Sequence, residues 1–284
     1  MSDVTVLGLG NMGSALAKVV LNGGHSVTAW NRSAHKVDAI SAMGAEPADT
    51  LAQAVSASPV TLICVADYPI SQSLLTSEDL LPLLSGRTVI QLSTGSPQEA
   101  QELGDLCRSR GAMYLDGAIL GLPRDVGTRS CQFLFSGSEV AFRNVQSILD
   151  ALGGDIRYLG ENVGAAATLD LAWLCQRLGM ILGALHGALV CEAEAIAIGD
   201  YGAMFEKDDR VHVLLGTIDN GGYNNPDASV EVWNSVANRI LKHARTQNIN
   251  DAFPVFCADL FSQAVDKGLA DEDVAALIKV LRER

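Results

Sequence analysis

Two sets of residues in this chain have the types and spacing to do chemistry. The first is Gly8-Leu9-Gly10-Asn11-Met12-Gly13, a G-x-G-x-x-G run that follows the apolar stretch 4–7 and opens a helical pattern. Gly8 permits the tight turn, Gly10 lets the backbone approach a pyrophosphate, and Gly13 lets helix and strand pack closely. The helix N-terminus then points unpaired N–H groups at the phosphate charge. A glycine-rich turn without a ligand is the plain alternative; the strand, the helix and a second strand at 26–30 weigh against it. The second set is defined by a missing cation. No lysine occurs between Lys36 and Lys207, and inside that gap a long apolar segment carries Asp170 near its start. A carboxylate with no ammonium beside it suits a cationic or amine-like substrate better than a hydroxy acid.

The end of the second strand discriminates between cofactors. An acid there would hydrogen-bond the ribose 2′-hydroxyl of NAD, whereas an arginine accommodates a 2′-phosphate. This chain has Trp30-Asn31-Arg32-Ser33, with Lys36 one turn on. A neutral Asn31 replaces the acid, and Arg32, Ser33 and Lys36 supply two cations and a hydroxyl. The arrangement reads as selection of NADP(H), with a solvated basic helix start as the alternative. Val65 and Ala66 end the third strand, and their backbone is expected to line the channel from adenosine to nicotinamide. Ser93 and Thr94 end the fourth strand, at the mouth of a doubly wound sheet. They are expected to touch nicotinamide or substrate, or else to cap the helix that starts at Pro97.

The elements that position these residues follow from hydrophobic patterning. Strands are expected at 4–7, 26–30, 60–65, 88–92 and 112–117, alternating with helices at 12–22, 34–43, 69–84 and 97–110. Uniformly apolar strands, each followed by a helix, predict a doubly wound parallel sheet. Two more strands, 131–137 and 155–160, flank a helix at 139–152. After Gly160 the texture changes to an α-helical one, with segments at 201–218, 226–247, 255–267 and 271–283. The fold class is an α/β Rossmann domain, 1–162, followed by an all-α domain, 163–284, joined by a long interdomain helix over about 163–198. Such a helix would be about 50 Å long. Apolar on nearly every side, it predicts packing against a partner subunit in a homodimer.

Composition narrows the function classes. The net charge of −13 is acidic in both halves, which leaves no basic face for nucleic acid or an anionic membrane. The six cysteines contain no C-x-x-C, so neither a disulfide framework nor a metal site is expected, and reduced thiols in the cytoplasm are the default. No secretory n-region precedes the first strand. The uncharged stretch 178–191 is too short to span a bilayer and reads as part of a core helix.

GLGNMGSALA (8–17), GGHSVTAWNRS (23–33), STGSP (93–97), YLDGAILGLP (114–123), GAAATLDLAWL (164–174) and IDNGGY (218–223) together resemble the imine reductase and reductive aminase family. That family is an offshoot of the β-hydroxyacid dehydrogenases. The resemblance implies NADPH-dependent reduction of imines or iminium ions to amines. Hydroxyacid dehydrogenases carry a serine-glycine-glycine clamp after the fifth strand's aspartate; here Asp116 is followed by Gly117-Ala118-Ile119-Leu120-Gly121, with Leu120 at the serine position. Their helix lysine, four residues after the glycine, corresponds to Thr168. The proton-donor position of imine reductases, an aspartate or a tyrosine, corresponds to Asp170.

An apolar pocket of Leu120, Leu122, Trp173 and Leu174 would raise the pKa of Asp170 and let it protonate an imine. Ionised, Asp170 would hold a positive nitrogen. Its structural alternatives are a carboxylate favoured by the helix macrodipole or a pair with Arg177. Leu178 stands where many relatives place a pocket aromatic. Met204, Phe205 and Trp233 are expected to close the pocket from the partner subunit, and His186 and Glu192 to be interface or core residues. The competing readings are a 3-hydroxyisobutyrate-like dehydrogenase lacking its lysine, and an NADP-binding sensor without turnover.

Overall fold

The computed structural model describes residues 1–224 and 226–283. It divides into two compact units, Met1–Asp170 and Leu171–Arg284.

The first unit is built on one sheet of strands β1 (Val4–Leu7), β2 (Val27–Trp30), β3 (Glu46–Pro47), β4 (Val60–Ile63), β5 (Thr88–Gln91), β6 (Met113–Leu120), β7 (Gln132–Gly137) and β8 (Asp155–Tyr158). Their order is β3-β2-β1-β4-β5-β6-β7-β8. Helices α1 (Asn11–Asn22), α2 (His35–Ser41), α3 (Leu51–Ser56), α4 (Tyr68–Leu75), α5 (Pro97–Ser109), α6 (Glu139–Asn144) and α7 (Gln146–Ala151) connect them. β1, β4 and β5 are buried along their whole length. Both faces of these strands are covered, so their residues alternate between two cores. Val6, Leu62 and Ile90 enter one with Leu16 and Val20, whereas Leu7, Ile63 and Val89 enter the other with Leu103. That is why the sequence shows continuous apolar runs rather than alternation.

The parallel pairing expected from the pattern holds from β3 through β6. β7 departs from it: it runs antiparallel to β6, and β8 is parallel to β7. An apolar run carries no direction of its own. β3 is a two-residue edge strand that the pattern did not reveal, and Pro47 fits there because an edge does not require its missing N–H. α3 was also unmarked by apolar period, although Thr50 and Gln53 form a capping box at its start. The 69–84 segment ends as α-helix at Leu75 and resumes as a short 3-10 turn at Leu81–Leu83, and 139–152 breaks at Val145.

α8 (Ala165–Ala193) begins in the first unit and continues into the second. Its 29 residues, with an 18-residue stretch of mean hydropathy 1.4, would allow it to cross a membrane by length and composition alone. Leu171, Leu174, Leu178, Ile181, Leu182, Leu185 and Ala188 instead build the core of the helical unit. That core is completed by α9 (Ile198–Gly202), α10 (Arg210–Asn220), α11 (Val230–Thr246), α12 (Ala252–Asp266) and α13 (Leu277–Leu281). The expected helix to residue 198 stops five residues early. Ala195 adopts φ +56°, and Ile196 N–H returns to Cys191 O at 2.8 Å. This left-handed helix end usually falls to glycine or asparagine, as it does at Gly221 and Asn248.

Candidate active site

The glycine run sits where β1 turns into α1, and its three glycines are held by different constraints. A Cβ on Gly8 would lie 2.3 Å from Cys64 O, and Gly8 has φ +96°. A Cβ on Gly13 would lie 2.0 Å from Gly8 O. At Gly10 a Cβ would meet nothing within 4 Å. Folding therefore requires Gly8 and Gly13, whereas Gly10 keeps open space beside the backbone. Gly10 is also the N-cap of α1, with no side-chain cap and no acidic residue in the first turn. Open space before an uncapped helix start matches a pyrophosphate.

Asn31 ties this loop to the next. Its Oδ1 accepts from Leu9 N–H at 2.9 Å, and its Nδ2 donates to Ser33 O at 3.0 Å. Arg32 and Lys36 are exposed and Ser33 is half-buried, so two cations and a hydroxyl flank a loop that Asn31 fixes. At the neighbouring strand ends, Val65 N–H donates to Ser93 Oγ at 2.9 Å, and Ser93 N–H donates to Gln91 Oε1 at 3.0 Å. Neither Ser93 nor Thr94 caps the following helix. Ser96 does so, in a capping box with Glu99.

A buried polar cluster lies one strand further on. Asp116 on β6 is fully buried, and its Oδ1 accepts from the Tyr68 hydroxyl at the start of α4. The Tyr68 ring passes over Gly95, where a Cβ would lie 2.2 Å from it. Oδ2 of Asp116 accepts from Ala167 N–H at 3.2 Å. Ser136, the register partner of Asp116 on β7, accepts from Ala166 N–H at 3.1 Å and donates to Val163 O at 2.7 Å. Ala165 N–H finds Asn162 O, and Thr168 N–H finds Gly164 O. Every amide of the first turn of α8 is thereby satisfied. The Thr168 hydroxyl also donates to Gly164 O, at 2.7 Å.

Asp170 follows on that helix, 6% exposed. Burial pushes the Asp116 carboxyl up to about 7; the Tyr68 and Ala167 donors pull it down, and the charge of Asp170 raises it further. Burial and the Asp116 charge hold the Tyr68 and Tyr114 phenols well above their usual range.

The sheet unit thus brings together the glycine loop, the Asn31–Lys36 turn, Val65, Ser93 and the Asp116–Asp170 pair. Leu120 and Leu122, at the end of β6 and just beyond it, are half-buried. The remaining predicted pocket residues belong to the helical unit. Trp173 is half-buried and carries the Arg177 guanidinium 4.9 Å from its ring centre. Leu174 and Leu178 are buried in that unit's core, so Leu178 packs there rather than presenting a surface. Phe205 meets Tyr201 edge-on at 5.5 Å, Trp233 packs on the same core, and Met204 is 78% exposed. His186 is exposed, and Glu192 pairs with Arg282. Tyr68, Asp116 and Ser136 were not singled out by spacing. Their signal was a polar residue inside a wholly apolar strand, in YLDGAI and FLFSG.

A phosphate-ready glycine turn, two cations after β2 and a buried acid near the start of α8 define a dinucleotide-binding oxidoreductase with a Rossmann domain and a helical domain. The family described as the NAD binding domain of 6-phosphogluconate dehydrogenase matches residues 3–160. The C-terminal domain family of NADPH-dependent reductive aminase-like proteins matches residues 162–283. An imine reductase from Myxococcus stipitatus, solved with NADP+, is 32% identical over 99% of this chain and 100% of its own, with a TM-score of 0.70. An NADPH-dependent reductive aminase of Aspergillus oryzae is 28% identical over 98% of this chain and 97% of its own length. A 3-hydroxyisobutyrate dehydrogenase from Salmonella typhimurium superposes with a TM-score of 0.87 at 20% identity, which shows a shared fold and no more. The chain belongs to the imine reductase and reductive aminase family.

Proposed function

We propose that this protein reduces imines or iminium ions to amines with NADPH, and that Asp170 is its proton donor. The observation that carries this reading is the chemistry of the first turns of α8. Where a hydroxyacid dehydrogenase places its lysine, Thr168 has turned its hydroxyl back to Gly164 O, and two residues on the chain buries a carboxylate. An iminium is attracted by that acid and would be repelled by an ammonium. When bound, the reduced nicotinamide supplies a hydride to the carbon of the C=N bond. The Asp170 carboxyl delivers a proton to the nitrogen, and in its ionised form it holds a positive nitrogen in place.

The residues toward the cofactor divide the work. The loop Gly8 to Gly13, including Leu9, Asn11 and Met12, takes the pyrophosphate, with Gly10 giving the close approach. Arg32, Ser33 and Lys36 take the 2′-phosphate, and Asn31 holds both loops in register. Val65, Ala66, Ser93 and Thr94 face the nicotinamide end. Leu120 and Leu122 give the substrate apolar surroundings, and Met204, Phe205 and Trp233 close over it from a partner subunit. We place the boundary of the cofactor domain at residue 162.

A homodimer is supported by the outward face of α8. Ala172, Gln176, Gly179, Gly183, His186 and Val190 are exposed residues spaced alternately four and three apart, the seam spacing of paired helices. The six cysteines are all free, which fits a reducing, cytoplasmic setting.

The test follows NADPH oxidation with a small cyclic imine and, separately, oxidation of a 3-hydroxy acid with NADP+. Turnover in the first assay alone is expected. Turnover in the second alone would replace this reading with the dehydrogenase one, and NADPH binding without turnover in either would favour a sensor.

A further inference from the structure

We propose that Gln91 is a positioning residue for the coenzyme: it locks Ser93 just past the end of β5 so that the Ser93 hydroxyl serves the nicotinamide. The proposal rests on reading Ser93 as part of the nicotinamide end of the site.

Gln91 is the last residue of β5 and is fully buried. It stands in a register row that runs Leu7, Ile63, Gln91, Asp116, Ser136 across five strands. Register partners turn their side chains to one face of a sheet. The apolar end of this row packs, and the polar end does one task three times. Ser136 accepts from Ala166 N–H, Asp116 accepts from Ala167 N–H, and Gln91 Oε1 accepts from Ser93 N–H at 3.0 Å. The first two hold the start of α8. The third holds the loop that follows β5.

What Gln91 holds there is a junction between two strand ends. Leu92 N–H donates to Ile63 O at 2.8 Å, joining β5 to β4. One step on, Ser93 Oγ stands in for a carbonyl and accepts from Val65 N–H at 2.9 Å. A serine hydroxyl has a single proton to give, and with Val65 N–H on its oxygen that proton is left for another acceptor. No described residue accepts it, although Ser93 is buried. The carboxamide oxygen of a nicotinamide is an acceptor of the required kind.

Ser93 N–H also decides which way round the Gln91 amide lies. Turned over, Nε2 would set donor against donor, so Oε1 is the atom that faces Ser93. Nε2 is then a buried donor with no acceptor among the described residues, and that costs stability. A methionine of similar length would fill the site without this cost. The acceptor for Ser93 N–H is what glutamine adds at this position.

Gln91→Met removes that acceptor and keeps the bulk. Dissociation constants are measured for NADPH and for 2′,5′-ADP, which lacks the nicotinamide half. Gln91→Met should weaken NADPH by about tenfold and leave 2′,5′-ADP within about twofold. A residue that only supported the fold would weaken both alike, and that outcome would overturn the proposal. Ser93→Ala keeps the N–H and loses the hydroxyl, and it should weaken NADPH to a similar degree. In the Ser93→Ala background Gln91→Met should add nothing, because the two act through one hydroxyl. Additive losses would overturn the proposal. Failure of the reading beneath it looks different: Ser93→Ala would then leave both constants unchanged, and the proposal would fall with that reading.

Should Gln91→Met fail to fold, hydrogen exchange of the Ser93 amide in the wild-type protein reports the Gln91 bond directly. Saturating NADPH should slow that exchange by about tenfold more than saturating 2′,5′-ADP does, because ligand contact at the hydroxyl stabilises the junction Gln91 closes. Equal protection by the two ligands would overturn the proposal.

Discussion

Asp116 and Ser136 face each other across β6 and β7 and accept from successive amides, Ala167 and Ala166, of one helix. A helix start buried against a sheet has orphan N–H groups that water cannot reach. Here a cross-strand pair supplies the acceptors that an N-cap side chain would otherwise provide.

The Asp116 carboxyl makes stability depend on pH. Its folded value is about 7, against 3.8 for an unperturbed aspartate. Between those values the folded chain binds a proton that the unfolded chain has released. Stability is therefore fully present below the lower value, falls as pH rises through the window, and levels off above the upper one. The span corresponds to at most about 4 kcal/mol. Urea midpoints between about pH 5 and about pH 8 should decline in the wild type and decline less in Asp116→Asn.

Gly10→Ala and Gly13→Ala should fail in different ways. The first finds open space and should fold with near-normal stability while losing at least about tenfold in NADPH affinity. The second drives a methyl to within 2.0 Å of Gly8 O and should lower the melting temperature or prevent folding. Melting curves and cofactor titrations separate the two outcomes.

Arg32→Glu should weaken NADPH by about a hundredfold and NADH by far less, because only NADPH carries the 2′-phosphate. Dissociation constants for the two cofactors decide it. Equal losses would remove residue 32 from 2′-phosphate recognition.

Asp170→Ala should lose at least about tenfold in imine turnover while keeping cofactor affinity, since proton transfer contributes that much or more. Steady-state kinetics beside a binding titration checks both halves.

Ala195→Gly should stabilise the protein by about 1 kcal/mol, because glycine adopts the left-handed end of α8 without the clash of a Cβ. Chemical denaturation reads this directly.

The parts legible in the sequence were those with a local cause. Glycines at 8, 10 and 13 between a strand and a helix can be placed by spacing alone, as can the cations after Trp30. The missing lysine was visible at Thr168; the hydrogen bond from its hydroxyl to Gly164 was not. The end of α8 escaped because Ala193, Glu194, Ala195 and Ile196 give no stop signal, and the chain halts through a backbone conformation alanine rarely takes. The direction of β7 escaped because apolar runs pair either way. Tyr68, Asp116, Ser136 and Ala167 form one cluster from four separate stretches, and only the folded sheet reveals that they meet.

Asn31 separates two tasks that one residue often combines. Both ends of its amide are engaged, one with Leu9 and the other with Ser33. Asn31→Asp, the obvious substitution for anyone re-engineering this chain toward NADH, would keep an acceptor for Leu9 N–H but delete the donor to Ser33 and set a carboxylate oxygen against Ser33 O, loosening the turn that carries Arg32 and Ser33. The economical route to a different coenzyme preference runs through Arg32, Ser33 and Lys36, with residue 31 left as the hinge pin of the loop.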